Sequence, residues 1–168
     1  SDGGTIHWTL TKATLRANGQ VRSKAVLRNQ PFPCGYISGT AVFVGRRVLE
    51  DVGFLREDYF LYYEDTDWSL RCRQRGYGLF ILPGAVVFHV GYQSTGLLSE
   101  RYIYYHTRNG LYLALWNGSL AVKGLALALS VVKLLKQPLK YILLPAKRAW
   151  IRPVTRGILD AWRGRTGP

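Results

Sequence analysis

Methionine is absent from the 168 residues, and cysteine nearly so, with Cys34 and Cys72 far apart in the chain. Their separation contains no Cys-x-x-Cys pair, so neither a zinc knuckle nor a disulfide framework is indicated. A reducing compartment is the default, and both thiols are expected to fill core. Acids are scarce too: 10 Asp and Glu stand against 23 Lys and Arg, a formal charge of +13. No secretory combination of a basic segment and an apolar segment opens the chain, and no internal repeat or low-complexity tract appears. A chain that starts Ser1-Asp2-Gly3-Gly4 without methionine is expected to be a piece of a longer protein. What is present is apolar: 48% hydrophobic and 13% aromatic residues with 20% charged, enough to offset the entropy of ordering and to exclude general disorder. The length suits one domain or part of one.

The charge is uneven. Up to Gly118 the chain carries 13 Lys and Arg against 9 Asp and Glu; from Ser119 to Pro168 it carries 10 against 1. The sequence therefore divides into residues 1–118 and a basic tail, 119–168, in which cations alternate with leucine, valine, alanine and tryptophan. Asn117, Gly118, Ser119 and Lys123 interrupt the apolar stretch from Leu111 to Val132, whereas a membrane-spanning helix needs roughly 20 apolar residues. Basic amphipathic helices lying on an anionic membrane surface fit better, with Trp150 and Trp162 suited to the interface. A helix packed on its own domain with a solvated basic face is the plainer alternative. Nucleic acid is disfavoured, because no helix-turn-helix, RNP or OB signature accompanies the charge.

Punctuation and periodicity give the elements. Ile6 to Leu10 reads as a short strand, Pro31 to Gly35 as a break, and Tyr36 to Val44 as a buried strand rich in β-branched and aromatic residues. Arg46 to Val52 reads as a short helix. Glu64 onward is a second helix with acids at its start, cations at its end and Gly76 as its C-terminal stop. Tyr77 to Leu82 and Ala85 to Val90 read as strands split by Pro83-Gly84, and Ser99 to Trp116 as a long helix. Strands alternating with helices imply an α/β layered core.

Two features point beyond scaffolding: the acidic run Glu64-Asp65-Thr66-Asp67, and His89 with the segment Val90-Gly91-Tyr92-Gln93-Ser94-Thr95 after it. By residue type alone, acids in a first helical turn are more often caps than catalysts, and a histidine ending an apolar strand is more often structural than a ligand. His7 and His106 are expected to be surface or structural residues.

Order and spacing say more. Gly39-Thr40-Ala41-Val42-Phe43-Val44-Gly45 leading on to Leu55, then Tyr59 to Arg71 through Glu64-Asp65-Thr66-Asp67-Trp68, then Gly76-Tyr77, Pro83-Gly84-Ala85 and His89, together resemble the second half of family 2 glycosyltransferases, most of all the bacterial rhamnosyltransferase-like branch. The resemblance covers Tyr36 to Asn109; the closing Gly157 to Gly167 matches the ends of such enzymes more loosely.

The resemblance implies the acceptor-side half of a GT-A fold and an inverting transfer of a sugar from a nucleotide diphosphate donor to an acceptor hydroxyl. Asp65 would be the general base, since an attacking hydroxyl must shed its proton to a carboxylate within reach. Glu64 and Asp67 would orient the acceptor or hold the loop, a nearby like charge raising the base's proton affinity. His89 would join a divalent metal, Mg²⁺ or Mn²⁺, that neutralises charge on the departing diphosphate. Gly39, Thr40, Trp68 and Arg71 would border the substrates, although a salt bridge within the fold is the more ordinary role for Arg71. The donor would be a dTDP- or UDP-sugar, with rhamnose the first expectation and galactofuranose, glucose and others open. The acceptor would be a glycan or a polyprenyl-linked sugar in cell-surface polysaccharide synthesis, met at the cytoplasmic face of the cell membrane.

One departure weighs against activity of the chain alone. Family members close a nucleotide-binding half with an Asp-x-Asp metal motif, and none precedes Gly39; Asp65-Thr66-Asp67 spells that pattern but lies in the acceptor-side motif. The chain by itself is therefore expected to be inactive. The alternative from another class is a non-catalytic peripheral membrane or interaction module in which the three acids only cap a helix.

Overall fold

The structure, a computed structural model, describes residues 3–8, 12–15, 30–88, 96 and 98–168. The chain falls into two compact units: one of Ser1–His7, Lys12–Arg56 and Glu64–His89, the other of Trp8–Thr11, Glu57–Tyr63 and Val90–Pro168. Mixed helix and strand with small sheets is compatible with a partial α/β fold.

In the first unit, β1 (Gly4–His7) pairs antiparallel with β2 (Lys12–Leu15), Gly4 opposite Leu15 and His7 opposite Lys12. A second two-stranded sheet pairs β3 (Phe32–Pro33) with β4 (Phe80–Ile81). The strand expected from Ile6 thus begins two residues earlier and ends at His7, while Thr9 and Leu10 lie outside the described residues. The expected strand Tyr36 to Val44 does not form. Tyr36 makes a single bridge to Gly4; the rest turns without pairing, Ile37 and Val44 resting on the core and Phe43 95% exposed. β-branched and aromatic residues favour a pleated, half-buried surface, and no described strand runs beside this segment to provide one. The next two expected strands shrink in the same way. Only Phe80 and Ile81 of Tyr77 to Leu82 pair, and residues 85–88 are unpaired, with Phe88 95% exposed; His89 and Val90 lie outside the described residues. The Pro83-Gly84 turn between them is present, closed by the Ala85 N–H on the Leu82 carbonyl at 3.1 Å.

The helices follow the sequence closely. α1 is Arg46–Val52, stopped by Gly53 at φ +80°. α2 is Glu64–Gln74, with Glu64, Asp65 and Asp67 in its first turn and Arg71 and Arg73 in its last, the polarity its dipole favours. It ends as expected at Gly76. That residue sits at φ +85°, with its N–H on the Arg73 carbonyl at 3.0 Å and the Tyr77 N–H on the Cys72 carbonyl at 3.0 Å, a Schellman stop that a residue with a Cβ would strain. Trp68, Cys72 and Leu79 form the core here, packed by Cys34, Val48, Leu49 and Val52, so both cysteines fill core as thiols.

The second unit is helical: α3 (Glu100–Asn117), α4 (Leu120–Leu135), α5 (Gln137–Leu143) and α6 (Arg148–Trp162). Ser99 and Ser119 cap α3 and α4 by accepting the Tyr102 and Val122 N–H groups at 3.1 and 3.4 Å, each cap worth about 1 kcal/mol. α3 packs closely on α6 through Gly157, where a Cβ would lie 2.9 Å from the Tyr104 carbonyl oxygen and 3.1 Å from Thr107 Cβ. Tyr104 donates to the buried Asp160 carboxylate at 3.0 Å, and Trp162 donates to the Ser130 hydroxyl at 3.0 Å, tying α6 to α3 and α4. Among the described residues, no helix is long and apolar enough to cross a membrane.

Candidate functional site

Every site residue named from sequence except His89 falls on described residues of the first unit: Gly39 and Thr40 on the turn after Tyr36, and Glu64, Asp65, Asp67, Trp68 and Arg71 on α2. His89 lies outside the described residues.

Asp65 stands on the first turn of α2, half-buried. Its Oδ2 accepts the Gly39 N–H at 2.8 Å, and its Oδ1 accepts the Thr66 N–H at 2.6 Å and the Thr66 hydroxyl at 3.1 Å. A carboxylate has about four acceptor positions, so a position remains on Oδ2, on the side where the Gly39 bond is exposed. Two backbone amides thus aim the side chain without filling it. Gly39 earns its place by proximity: a Cβ there would sit 3.4 Å from Asp65 Cβ and 3.6 Å from Oδ2, so a methyl fits and anything larger crowds the carboxylate. Thr40 is exposed, its hydroxyl 3.1 Å from that of Ser38.

Glu64 differs. Burial pushes its carboxyl above the usual carboxylate range, opposed by a backbone hydrogen bond and reinforced by the neighbouring Asp65 charge. Its Oε2 is buried with no hydrogen-bond partner among the described residues. Adjacent positions therefore carry one carboxylate steadied by amides and one pressed towards holding a proton.

Asp67 is 0% exposed and answers two arginines, Arg71 Nε at 2.9 Å and Arg56 Nε at 3.6 Å. Arg71 also donates to the Val52 and Phe54 carbonyls, both at 2.7 Å. Of the two roles expected of Asp67, orienting the acceptor or holding the loop, its burial fits the second. Arg71 stands in a salt bridge within the fold. Trp68 is buried in the core with its indole N–H on the Gly53 carbonyl at 2.7 Å, packing α2 on α1. Among the described residues no three His, Cys, Asp or Glu side chains converge to hold a metal ion.

No family model matches the chain, and no solved structure matches it. Curated relatives do. A galactofuranosyltransferase of Mycobacterium tuberculosis is 28% identical over 98 residues, 57% of this chain and 15% of the relative. A dTDP-rhamnosyl transferase of Shigella flexneri is 32% identical over 76 residues, 45% of this chain and 26% of the relative. An N-acetylglucosaminyl-diphospho-decaprenol L-rhamnosyltransferase of Mycobacterium tuberculosis is 38% identical over 64 residues, 38% of this chain and 21% of the relative. All three are glycosyltransferases by name. The chain spans about a quarter or less of each relative's length, and the likeness supports a glycosyltransferase at that general level.

Sequence reasoning passed over a second group, in the helical unit. Arg108 and Asn109, consecutive on α3, are fully buried. Arg108 donates to the Asn109 side-chain oxygen at 2.9 Å, the Gly167 carbonyl at 2.7 Å and the Tyr59 carbonyl at 3.0 Å. Asn109 shares its amide hydrogens among the carbonyls of Tyr59, Leu61 and Tyr62 at 2.9, 2.7 and 2.9 Å. These bonds hold a segment in which Phe60, Tyr62 and Tyr63 have φ of +61°, +67° and +74°, a conformation costing bulky residues about 1–3 kcal/mol each. Tyr63 immediately precedes Glu64 in the chain. The available signal was an Arg-Asn pair in the middle of a helix with Tyr105, Leu111, Tyr112 and Leu113 a turn or less away, where a polar pair has to find buried partners.

Proposed function

We propose that the chain is part of an inverting glycosyltransferase of the family 2 type, and that Asp65 is its general base. One observation carries the reading: a half-buried carboxylate held by the Gly39 and Thr66 amides with an acceptor position left on Oδ2, in a chain similar to several glycosyltransferases. An acceptor hydroxyl bonded to Oδ2 would pass its proton there as its oxygen bonds to the anomeric carbon. The bond from that carbon to the diphosphate breaks on the opposite face. Positioned proton transfer of this kind contributes typically 10²–10⁴-fold. Asp67 and Arg71 hold α2 and the end of α1 in place, and Glu64 keeps a second acid beside the base.

The donor we infer is a dTDP- or UDP-sugar, rhamnose first and galactofuranose next, following the names of the relatives. The acceptor is a glycan or a polyprenyl-linked sugar. The acceptor-side half of a GT-A domain, the division at residue 118, and association of the basic amphipathic tail with the inner face of the cell membrane belong to the same proposal. So does the divalent metal, which when bound would neutralise charge on the leaving diphosphate, with His89 as the ligand named from sequence; the described residues supply no set to hold it, and no step here depends on it.

The test is Asp65→Asn in the full-length protein, with transfer of labelled sugar measured from dTDP-rhamnose and UDP-galactofuranose to polyprenyl-diphosphate-linked N-acetylglucosamine. Transfer should fall at least about a hundredfold at a temperature where circular dichroism shows both proteins folded. Undiminished transfer would remove Asp65 from the chemistry. A variant that melts early and transfers normally when folded would leave only the capping role.

A further inference from the structure

Between α5 and α6 the helical unit leaves an open groove of about 490 Å³, lined among others by Tyr141, Arg148, Ile151, Arg152, Arg156 and Arg163. Its arginines are unequally engaged. Arg156 and Arg163 lean on Asp160 at 3.5 and 3.8 Å. Arg148 is fixed by its Nε on the Tyr141 carbonyl at 2.8 Å, with its guanidinium 4.7 Å from the centre of the Tyr141 ring. That bond orients the group and leaves its charge uncompensated. Arg152 is exposed and has no ion pair or hydrogen bond among the described residues. From Ser119 to Pro168 the only acid is Asp160, whose side chain is 4% exposed. The outer surface of α4 to α6 therefore carries cations and no carboxylate.

The outer face of α5, away from its groove-lining Tyr141, is oily. Leu139, Ile142 and Leu143 are exposed, Ile142 at 68%, and their i, i+3, i+4 spacing sets them on one face of α5. Each such side chain gains free energy on leaving water. Phosphates of a nucleic acid would answer the arginines and leave this face wet. An anionic bilayer answers both, with phosphate at the headgroup level and hydrocarbon a few ångströms deeper.

We propose that the α5–α6 groove binds the headgroup phosphate of an anionic phospholipid, with Arg148 and Arg152 on the phosphate and Leu139, Ile142 and Leu143 among the acyl chains. The proposal deepens the membrane-association part of the function proposed above and rests on it, but not on sugar transfer.

The experiment is flotation of the full chain with phosphatidylcholine vesicles containing about 30 mol% phosphatidylglycerol, against vesicles of phosphatidylcholine alone. Wild type should float with the anionic vesicles only. Arg148→Gln with Arg152→Gln should weaken binding by about fivefold for each arginine removed, and Arg148→Lys with Arg152→Lys should restore most of it. Ile142→Asp with Leu143→Asp should abolish it. Circular dichroism of each variant shows whether the helices are intact, and Arg46→Gln with Arg47→Gln, which removes equal charge from α1, should leave binding unchanged.

If wild type ignores anionic vesicles, the membrane part of the function falls along with this site. If wild type binds and the groove and α1 variants weaken it equally, only the groove is overturned. Inorganic phosphate that releases the chain at matched ionic strength would make the groove a site for soluble phosphate and overturn the lipid assignment.

Discussion

The helices α2 and α3 bury charge in opposite ways. On α2 the buried group is a carboxylate, Asp67, answered by the guanidinium groups of Arg71 and Arg56. On α3 it is a guanidinium, Arg108, whose hydrogen-bond acceptors are neutral carbonyl oxygens and which also lies 4.9 Å from the Tyr105 ring centre and 5.4 Å from that of Tyr104. A guanidinium offers five donors in a rigid fork and can be satisfied by backbone and aromatic faces alone. A carboxylate offers only acceptors, so its burial draws in cations. The first arrangement ties one helix turn to a neighbouring helix end; the second fixes a strained segment of chain. What sets α2 apart is that its satisfied acid stands beside two incompletely satisfied ones. Asp65 retains an acceptor position, and Glu64 Oε2 has no partner among the described residues. Chemistry needs groups with coordination to spare, and this turn offers two acids that have it.

The sharpest way to break the comparison is to remove the buried cation. Arg108→Met keeps the apolar stem and strips the donors, taking from the Gly167 carbonyl and the side-chain oxygen of Asn109 their buried partner, while the Tyr59 carbonyl keeps the Asn109 amide. Unmade bonds of this kind cost about 1–3 kcal/mol each. The expected loss is therefore about 3 kcal/mol or more, read from the urea midpoint, with Asn109→Ala behaving similarly. If Arg108→Met were nearly neutral, the positive φ angles at Phe60, Tyr62 and Tyr63 would not depend on this network.

Gly157→Ala probes the same unit more gently. The added methyl meets the Tyr104 carbonyl and the Arg108 N–H region of α3, and backbone cannot yield as a side chain would. Overpacking of this kind costs typically 1–3 kcal/mol, against the slight gain that alanine brings to a helix interior. A melting temperature equal to or above that of wild type would mean that α3 and α6 can separate without loss.

Helices were legible where the code is local. Ser99, the acidic first turn of α2 and Gly76 each act within a few residues, and α1, α2 and α3 came out within a residue or two. Strands were not, because Tyr36 to Val44 carries strand-forming residues and no described neighbour to pair with. The acidic run could be read as a unit, but the separate fates of its members could not: Asp67 turns inward to Arg71 while Asp65 turns towards Gly39, 26 positions earlier. Nor could the partners of Arg108 and Asn109 be read, since they lie about 50 positions before them and, for Gly167, 59 after Arg108. A hydrogen bond across that distance leaves no periodic trace.

The smallest expected effect tests Glu64 itself. Its carboxyl holds a proton to higher pH in the folded chain than in the unfolded one, because burial penalises the charged form. The stability it contributes is therefore fully present below the unfolded value of about 4.3 and is lost as pH rises through the raised folded value. Glu64→Gln keeps the shape and removes the titration, so wild type should lose ground to the variant on going from about pH 4 to about pH 8. The expected change in the urea midpoints corresponds to about 0.5 kcal/mol, the scale of substitutions that open no cavity. A difference between the two proteins that stays constant across this range would place Glu64 in water with an ordinary carboxyl. The contrast would then narrow to Asp65 alone, and a proton held beside the base would drop out of the proposed chemistry.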